Sequence, residues 1–206
     1  LILVVTDDDK KVLIENKIPE GKIIIIGAPM TVFDIKIENP PYYFGFIGSN
    51  FDQNIIAIKY FINNFYKNFP EKPFCIAGKV CEDKYIKKLA DIYPNIALRG
   101  YVKNLPKFYS SFRFLVATLP IGSGIKIKVL EAMSFGSIVL GSNYAFEGIK
   151  IRHLHEAVNV EGMKHEEFKL ILSELESNKQ IPIISRNAKQ FIKQNFSKEQ
   201  LFRPLM

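Results

Sequence analysis

The distribution of hydrophobic and polar residues along the chain predicts alternating strands and helices. Short apolar runs end at glycine or polar residues, and between them lie longer segments whose apolar residues recur every three to four positions. The first pattern is typical of buried strands and the second of amphipathic helices. We predict strands at residues 1–6, 22–27, 43–47, 73–77, 95–99, 112–118, 137–141 and 157–160. We predict helices at residues 7–16, 50–68, 82–93, 105–110, from the glycine turn at 122–124 to 135, and at 165–176 and 182–196.

The repeated order of strand, turn and helix predicts an α/β fold. Its class is a Rossmann-like, doubly wound parallel sheet with helices on both faces and further helices at the C-terminal end. Segment 31–41 follows neither pattern and ends in Pro40 and Pro41, which exclude a helix there. We therefore predict a linker and a domain boundary that separates residues 1–41 from residues 42–206.

The composition is that of an ordinary globular protein. Of the 206 residues, 48% are hydrophobic and 24% are charged, which excludes a disordered chain. The two cysteines are too few for a disulfide scaffold and indicate a reducing compartment. We expect Cys75 to be a buried strand residue and Cys81, at a helix start, to be somewhat reactive.

The apolar runs and the first residues of the chain indicate where in the cell the protein is located. No apolar run approaches the roughly 18 residues of a membrane-spanning helix, and no basic leader precedes the first strand. These features favour a cytoplasmic protein. Because the chain begins with Leu1 rather than Met, we expect it to be a piece of a longer protein.

The positive charge narrows the possible partners. Lys and Arg number 28 and Asp and Glu 21, a net charge of 28 − 21 = +7, which fits a polyphosphate ligand, an anionic membrane surface or a nucleic acid. We expect no nucleic-acid partner, since the lysines are scattered over several helices and no recognition module is legible. His153, His155 and His165 lack further ligands at zinc-site spacing, so we expect no metal site.

The glycine turn at residues 122–124 is the strongest candidate for chemistry. It follows a predicted strand, and ligands of open α/β sheets bind beyond the carboxyl ends of the strands. The free amides of residues 123–125 at a helix start would favour an anion. Lys126 and Lys128 add positive charge where a helix normally prefers acids. The turn therefore indicates a phosphate site, and a solvated surface turn with two lysines is the alternative.

Two familiar phosphate motifs are excluded at this turn. The dinucleotide pattern G-x-G-x-x-G would need glycine at Ile127, and no Gly-Lys-Ser/Thr sequence forms a P-loop. Glu131 lies seven residues after Gly124, about two helical turns on, where its carboxylate could accept hydrogen bonds from both hydroxyls of a ribose. An ordinary ion pair between Glu131 and Lys128 is the alternative.

Several segments together resemble a known family. IGSNFDQNIIAI, PFCIAGK, NIALRGYVKNLPKFYSSFRFLVATLP and GSGIKIKVLEAMSFGSIVLGS occur in this order. They resemble the C-terminal, donor-binding half of GT-B-fold glycosyltransferases. The chain is most similar to the large retaining family of bacterial sugar transferases that assemble glycans and polysaccharides. The resemblance covers residues 43–148.

The resemblance implies that residues 42–206 bind a nucleotide-diphosphate sugar as co-substrate, with no cofactor and no metal. It places backbone amides of the glycine turn on the diphosphate and sugar, a lysine on phosphate charge, Glu131 on the ribose, and other strand-end residues around the base and phosphates. The implied donor-binding residues are Gly48, Ser49, Asn54, Gly78, Lys79, Tyr101, Val102, Gly122, Ser123, Gly124, Ile125, Lys126, Lys128 and Glu131. No residue of this chain is assigned a catalytic role.

Two departures from the family pattern affect the predicted contacts with the sugar and with the diphosphate. Ser123 stands where these families usually place a first glutamate that touches the sugar. The turn after strand 43–47 lacks the usual arginine and lysine, so Lys126 and Lys128 would carry more of the phosphate charge.

The leading hypothesis is the donor-binding half of a hexosyltransferase that acts on a glycan or lipid-linked acceptor. Residues 1–41 are too few to form an acceptor lobe, so we expect the chain to transfer no sugar without that partner lobe. Its basic surface could dock on the inner face of an anionic membrane. The alternative is a non-catalytic module that binds nucleotide sugars or serves as a scaffold.

Overall fold

The computed structural model describes residues 1–35, 37–121 and 124–202. Within these residues the strands are β1 (Ile2–Val4), β2 (Ile23–Ile25), β3 (Tyr42–Ile47), β4 (Phe74–Ala77), β5 (Ile96–Leu98), β6 (Phe112–Ala117), β7 (Ile138–Gly141) and β8 (Val158–Asn159). The helices are α1 (Asp7–Glu15), α2 (Asp52–Asn64), α3 (Lys84–Ile92), α4 (Leu105–Tyr109), α5 (Ile127–Phe135), α6 (His165–Ser177), α7 (Ile181–Asn195) and α8 (Lys198–Leu201).

Every predicted strand and helix is present, in most cases one to four residues shorter than predicted. The short helix α8 was not predicted from the sequence. The difference that matters most for the candidate site is the start of α5, which lies at Ile127 rather than at the glycine turn.

The main sheet has six parallel strands in the order β5-β4-β3-β6-β7-β8. The chain builds outward from β3 to β5 and then returns to place β6 on the other side of β3. The direction of winding therefore reverses between β3 and β6, and a crevice opens at such a switch point beyond the carboxyl ends of the strands. The predicted Rossmann-like, doubly wound α/β fold is confirmed.

Phenylalanines fill the core around β3. Phe44 is fully buried in that strand, and its ring packs edge-on against Phe61 of α2 and Phe74 of β4, with ring centroids 5.1 and 6.0 Å away. Phe168 of α6 meets Phe61 at 6.1 Å and so joins the C-terminal helices to this core. These aromatic contacts hold the strands and helices of the main domain together, and the candidate site lies at one edge of the same sheet.

Residues 1–25 form a separate parallel pair, β1 and β2, connected through α1. A capping box starts α1: the Thr6 hydroxyl accepts from the Asp9 amide at 3.0 Å, and the Asp9 carboxylate accepts from the Thr6 amide at 2.9 Å. The acidic run therefore serves helix capping, as its position before an apolar stretch predicts.

Segment 26–41 runs along the main domain without a helix or strand in its described residues. The Met30 amide donates to the Phe196 carbonyl at 2.7 Å, and the Phe33 ring stacks on Phe135 with centroids 4.3 Å apart. The assignment of this segment as a linker stays a prediction. The domain boundary after residue 41 stays a prediction.

Both cysteines are buried. Cys75 lies within β4, as predicted, and burial raises the pKa of its thiol to about 11. The expectation that Cys81 is reactive was wrong: its side chain is buried, its thiol donates to the Ile76 carbonyl at 3.2 Å, and burial raises its pKa. A thiol reacts as the thiolate, which this environment disfavours.

In the described part of the chain, none of the helices has the length and apolar character needed to cross a membrane.

Candidate functional site

Three glycine turns join into a floor at the carboxyl edge of the main sheet. The Gly48 amide donates to the Ala77 carbonyl at 3.1 Å, the Val80 amide to the Gly48 carbonyl at 3.2 Å, and the Gly78 amide to the Gly100 carbonyl at 2.6 Å. Gly78 has a φ of +89°, and a Cβ there would collide with the Gly48 carbonyl oxygen. Only glycine fits this approach of two backbones. We call the turns at residues 48, 78 and 100 the glycine floor.

Lys128 reaches from the first turn of α5 to the end of β3. Its Nζ donates to Asn54 Oδ1 at 2.8 Å and to the Ile47 carbonyl at 3.3 Å, and it lies 4.3 Å from the centroid of the Phe46 ring. Burial, with a smaller contribution from the charge of Lys126, lowers the pKa of Lys128 to about 8. Among the described residues no carboxylate pairs with it. The site therefore holds a desolvated cation on neutral oxygens, an arrangement that an anion would stabilise.

Asn54 holds this cation and the loop after β3 together. Its Nδ2 donates to the Ser49 carbonyl at 3.0 Å and to the Ser49 hydroxyl at 3.2 Å, while its Oδ1 accepts from Lys128. A Cβ on Gly48 would lie 2.7 Å from Asn54 Cγ, so glycine is needed where the amide packs. The structure thus brings Gly48, Ser49, Asn54 and Lys128 together, with Asn54 in a bridging position.

The start of α5 differs from the sequence prediction. Gly124 has a left-handed backbone with φ +70°, and Lys126, the N-cap, is extended, so neither continues the helix. The expectation that the amides of Gly124 and Ile125 open the helix was wrong. Among the described residues, the first-turn amides of Ile127 and Lys128 find no acceptor, and the Val129 amide donates to the Lys126 carbonyl at 2.8 Å. Gly122 and Ser123 lie outside the described residues.

Lys126 already has an anionic partner. Its Nζ lies 3.1 Å from Glu147 Oε2 and also donates to the Gly124 carbonyl, and its side chain is 12% exposed. Of the two lysines expected to neutralise phosphate, Lys126 therefore has its charge matched by a carboxylate. Lys128 does not.

Glu131 points toward α4 rather than toward Lys128. Its half-buried carboxylate accepts at Oε2 a hydrogen bond of 2.7 Å from the hydroxyl of Tyr109, a fully buried residue. Burial and the neighbouring Glu131 raise the pKa of Tyr109 well above its usual value, so the phenol stays a donor. The alternative of a Glu131–Lys128 ion pair is wrong for this structure.

Sequence reasoning missed Tyr109. The available signal was a single hydroxyl-bearing ring among phenylalanines, since Tyr109 stands between Phe108 and Phe112. A tyrosine inside a core usually needs a partner for its hydroxyl. Only the packing of α4 against α5 shows that this partner is Glu131.

The remaining predicted residues lie around the same edge. Lys79 follows the floor at Gly78 and is exposed, and Tyr101 follows Gly100 with 82% of its surface exposed. Val102 is partly buried against the core. Their expected contact with a base stays a prediction.

No three His, Cys, Asp or Glu side chains of the described residues cluster as a metal site would require. His155 instead lies 2.8 Å from the buried carboxylate of Glu156, and His153 accepts from the Asn159 amide at 3.1 Å.

Solved structures share the fold. The chain superposes on Anabaena HepE, solved in complex with UDP, with a TM-score of 0.74 and 13% identity, covering 100% of this chain and 62% of HepE. Staphylococcus aureus TarM, solved with fondaparinux, alpha-GlcNAc-glycerol and UDP, gives 0.77 and 15%, covering 98% and 42%. The pneumococcal O-GlcNAc transferase GtfA, solved with UDP and GlcNAc, gives 0.71 and 17%, covering 98% and 43%. The chain thus spans under two thirds of the length of each.

None of the curated proteins compared with the chain matches it in sequence. A family model described as glycosyl transferases group 1 matches residues 41–176, well over half of the chain. Together with the parallel six-stranded sheet, this match shows that the fold is a Rossmann-like lobe of the GT-B type and that the chain belongs to the glycosyl transferases group 1 family.

Proposed function

We propose that this chain binds a nucleotide-diphosphate sugar at the carboxyl edge of its main sheet. It would act as the donor-binding half of a glycosyltransferase that moves a hexosyl group to a glycan or lipid-linked acceptor. The observation that carries the proposal is Lys128, a partly buried cation held at the β3–β6 switch point by two neutral oxygens.

The departing diphosphate is the group that this site would stabilise. When the glycosidic bond of the donor breaks, negative charge grows on the diphosphate. Lys128 and the first-turn amides of Ile127 and Lys128, which have no acceptor among the described residues, would offer positive charge and hydrogen bonds already in place, and such preorganised groups stabilise a transition state. In this proposal the protein's own groups carry the phosphate charge without a metal ion, and adding EDTA would leave nucleotide binding unchanged.

The nucleoside would lie along the glycine floor. Glu131 is close enough to the start of α5 to take the ribose hydroxyls, and the exposed ring of Tyr101 beside Gly100 offers a surface for the base. HepE, TarM and GtfA were each solved with UDP, so UDP is the first nucleotide to test.

The finer assignment concerns the reaction itself. The sequence resemblance supports transfer with retention of configuration and an acceptor site in a second lobe. Since the chain spans 62% of HepE and 42% of TarM, we expect it to bind donor but to transfer no sugar alone. A radiolabelled-sugar transfer assay with and without a supplied acceptor lobe tests this.

A thermal-shift experiment with UDP, GDP and ADP at millimolar concentration tests the proposed function. At least one of them should raise the Tm by several degrees, because a ligand present at 100 times its Kd stabilises the folded state by about 2.7 kcal/mol. Uridine, which lacks phosphates, is the control and should give a much smaller shift. The proposal fails if none of the three diphosphates stabilises the protein.

The cellular placement belongs to the same proposal. A transferase with a lipid-linked acceptor would work in the cytoplasm, at the inner face of the membrane, and the net charge of +7 supports attraction to anionic lipid. Cosedimentation with phosphatidylglycerol vesicles but not with phosphatidylcholine vesicles is expected.

A further inference from the structure

Tyr109 carries a buried hydroxyl that the proposed donor site does not yet use. The residue is fully buried in α4, yet its hydroxyl reaches the adjacent helix α5 and donates to Glu131 Oε2 at 2.7 Å. A donor bonded to a carboxylate at this distance makes a charge-assisted hydrogen bond, which is stronger than one between neutral groups.

The surroundings of Tyr109 hold it in one orientation. Its ring stacks on Phe135 with centroids 5.2 Å apart and planes 12° apart, and Phe108 and Phe112 pack edge-on against it at 5.4 and 5.9 Å. The Ser137 hydroxyl donates to the Tyr109 carbonyl at 2.7 Å. The phenol is therefore a fixed donor on a packed element rather than a mobile surface group.

One oxygen of Glu131 remains for a ligand. Oε2 is held by Tyr109, while no donor among the described residues reaches Oε1. The side chain is partly exposed, and a carboxylate oxygen has lone pairs for two donors, which matches the two hydroxyls of a ribose.

We infer that Tyr109 is a positioning residue that fixes the Glu131 carboxylate for the ribose diol, so that preference for ribonucleotides over 2′-deoxyribonucleotides depends on a buried tyrosine hydroxyl. This inference rests on the proposed function. A carboxylate already held in its binding orientation loses less conformational freedom when the nucleotide binds, and the gain is larger for a ligand that donates through both hydroxyls than for one that keeps only the 3′-hydroxyl.

Calorimetric titration with UDP and 2′-deoxy-UDP tests the inference. The unmodified protein should bind UDP at least about tenfold more tightly, as expected for a lost hydrogen bond to a charged group. Tyr109→Phe keeps the ring but removes the hydroxyl, so it should reduce this ratio about three- to fivefold and raise the Kd of 2′-deoxy-UDP, which keeps the 3′-hydroxyl, by less than that of UDP. Glu131→Ala should abolish the preference, and adding Tyr109→Phe to it should cause no further loss.

Tyr66→Phe is the matched control. Tyr66 is also fully buried and its hydroxyl donates to the Lys72 carbonyl at 2.9 Å, away from the glycine floor. This variant should lose stability as Tyr109→Phe does but keep the full preference for UDP. Thermal denaturation of each variant checks that both are folded.

The outcomes separate the inference from the proposed function. If Tyr109→Phe keeps the full preference, or weakens both nucleotides equally, the positioning role is wrong while donor binding stands. If the unmodified protein binds UDP and 2′-deoxy-UDP alike, Glu131 does not read the ribose and the inference fails again. If neither UDP, GDP nor ADP binds, the proposed function itself is wrong and the inference with it.

Discussion

The two lysines at the start of α5 have opposite electrostatic surroundings. Lys126 pairs with the Glu147 carboxylate at 3.1 Å. Lys128 lies partly buried on the Ile47 carbonyl and the Asn54 amide oxygen, and desolvation lowers its pKa to about 8. The charge of Lys126 is therefore matched by a carboxylate, whereas Lys128 contacts only neutral oxygens. Both lysines lie close to the glycine turn, and only the charge of their neighbours distinguishes the one that we propose for the anion.

Replacing the unsatisfied cation should have the largest effect. Lys128→Met removes the partly buried charge but keeps a long apolar side chain, so we expect nucleoside diphosphate affinity to fall about ten- to a hundredfold. The Tm of the free protein should stay the same or rise, because a buried, unpaired charge weakens the folded state. Calorimetric titration and thermal denaturation of the same samples measure both. A lower Tm together with unchanged affinity would contradict this account of the site.

The pH dependence of Lys128 should separate binding from stability. With a folded-state pKa of about 8, lowered by burial, the folded protein releases this proton at lower pH than the unfolded chain, whose lysines titrate near 10.4. Between these values the unfolded state binds more protons, so this residue's contribution to the free energy of unfolding rises with pH. Diphosphate affinity should fall instead, by about tenfold from pH 7 to pH 9, because the anion needs the charged amine.

Titrations and denaturation curves at pH 7, 8, 9 and 10 measure the two trends. The Lys128→Met variant is the control and should show neither of them near pH 8. An affinity that is flat over this range in the unmodified protein would rule out Lys128 as the phosphate ligand.

Freeing the satisfied cation should have the smallest effect. Glu147→Gln leaves Lys126 without its carboxylate, and the added positive potential should tighten diphosphate binding about two- to threefold at low salt and not at 0.5 M salt. Glu174→Gln, the same change on an exposed residue of α6, is the control. A large loss of affinity in Glu147→Gln would mean that the Lys126–Glu147 pair shapes the loop rather than neutralising charge.

The fold could be predicted from the sequence because each strand carries a local signal. FLVATLP is apolar throughout, as a strand covered on both faces must be, and a glycine or polar turn follows it. In the same way, apolar residues at helical spacing predicted α2 and the other helices. Helix ends were less accurate, since the start of α5 depends on the left-handed backbone of Gly124 and the extended backbone of Lys126.

The site could be predicted in location but not in pairing. The glycine turns, Lys128 and Glu131 were named as candidates because ligands of this fold class bind at one edge of the sheet. The side-chain partners of the two lysines could not be predicted, because Asn54 and Lys128 are separated by 74 positions and Glu147 is 21 positions from Lys126. Such contacts arise from the assembly of the sheet, which no local pattern encodes, and they decide which lysine is free to bind.

The glycine floor limits which residues could set the nucleotide preference of the proposed donor site. Its three turns are joined backbone to backbone, and Gly78 leaves no room for a side chain. A substitution there would displace neighbouring strands instead of altering one contact. In the proposed function, the choice of base would rest with exposed residues that follow the turns, such as Tyr101 and Lys79, which can be exchanged while the architecture beneath them stays intact.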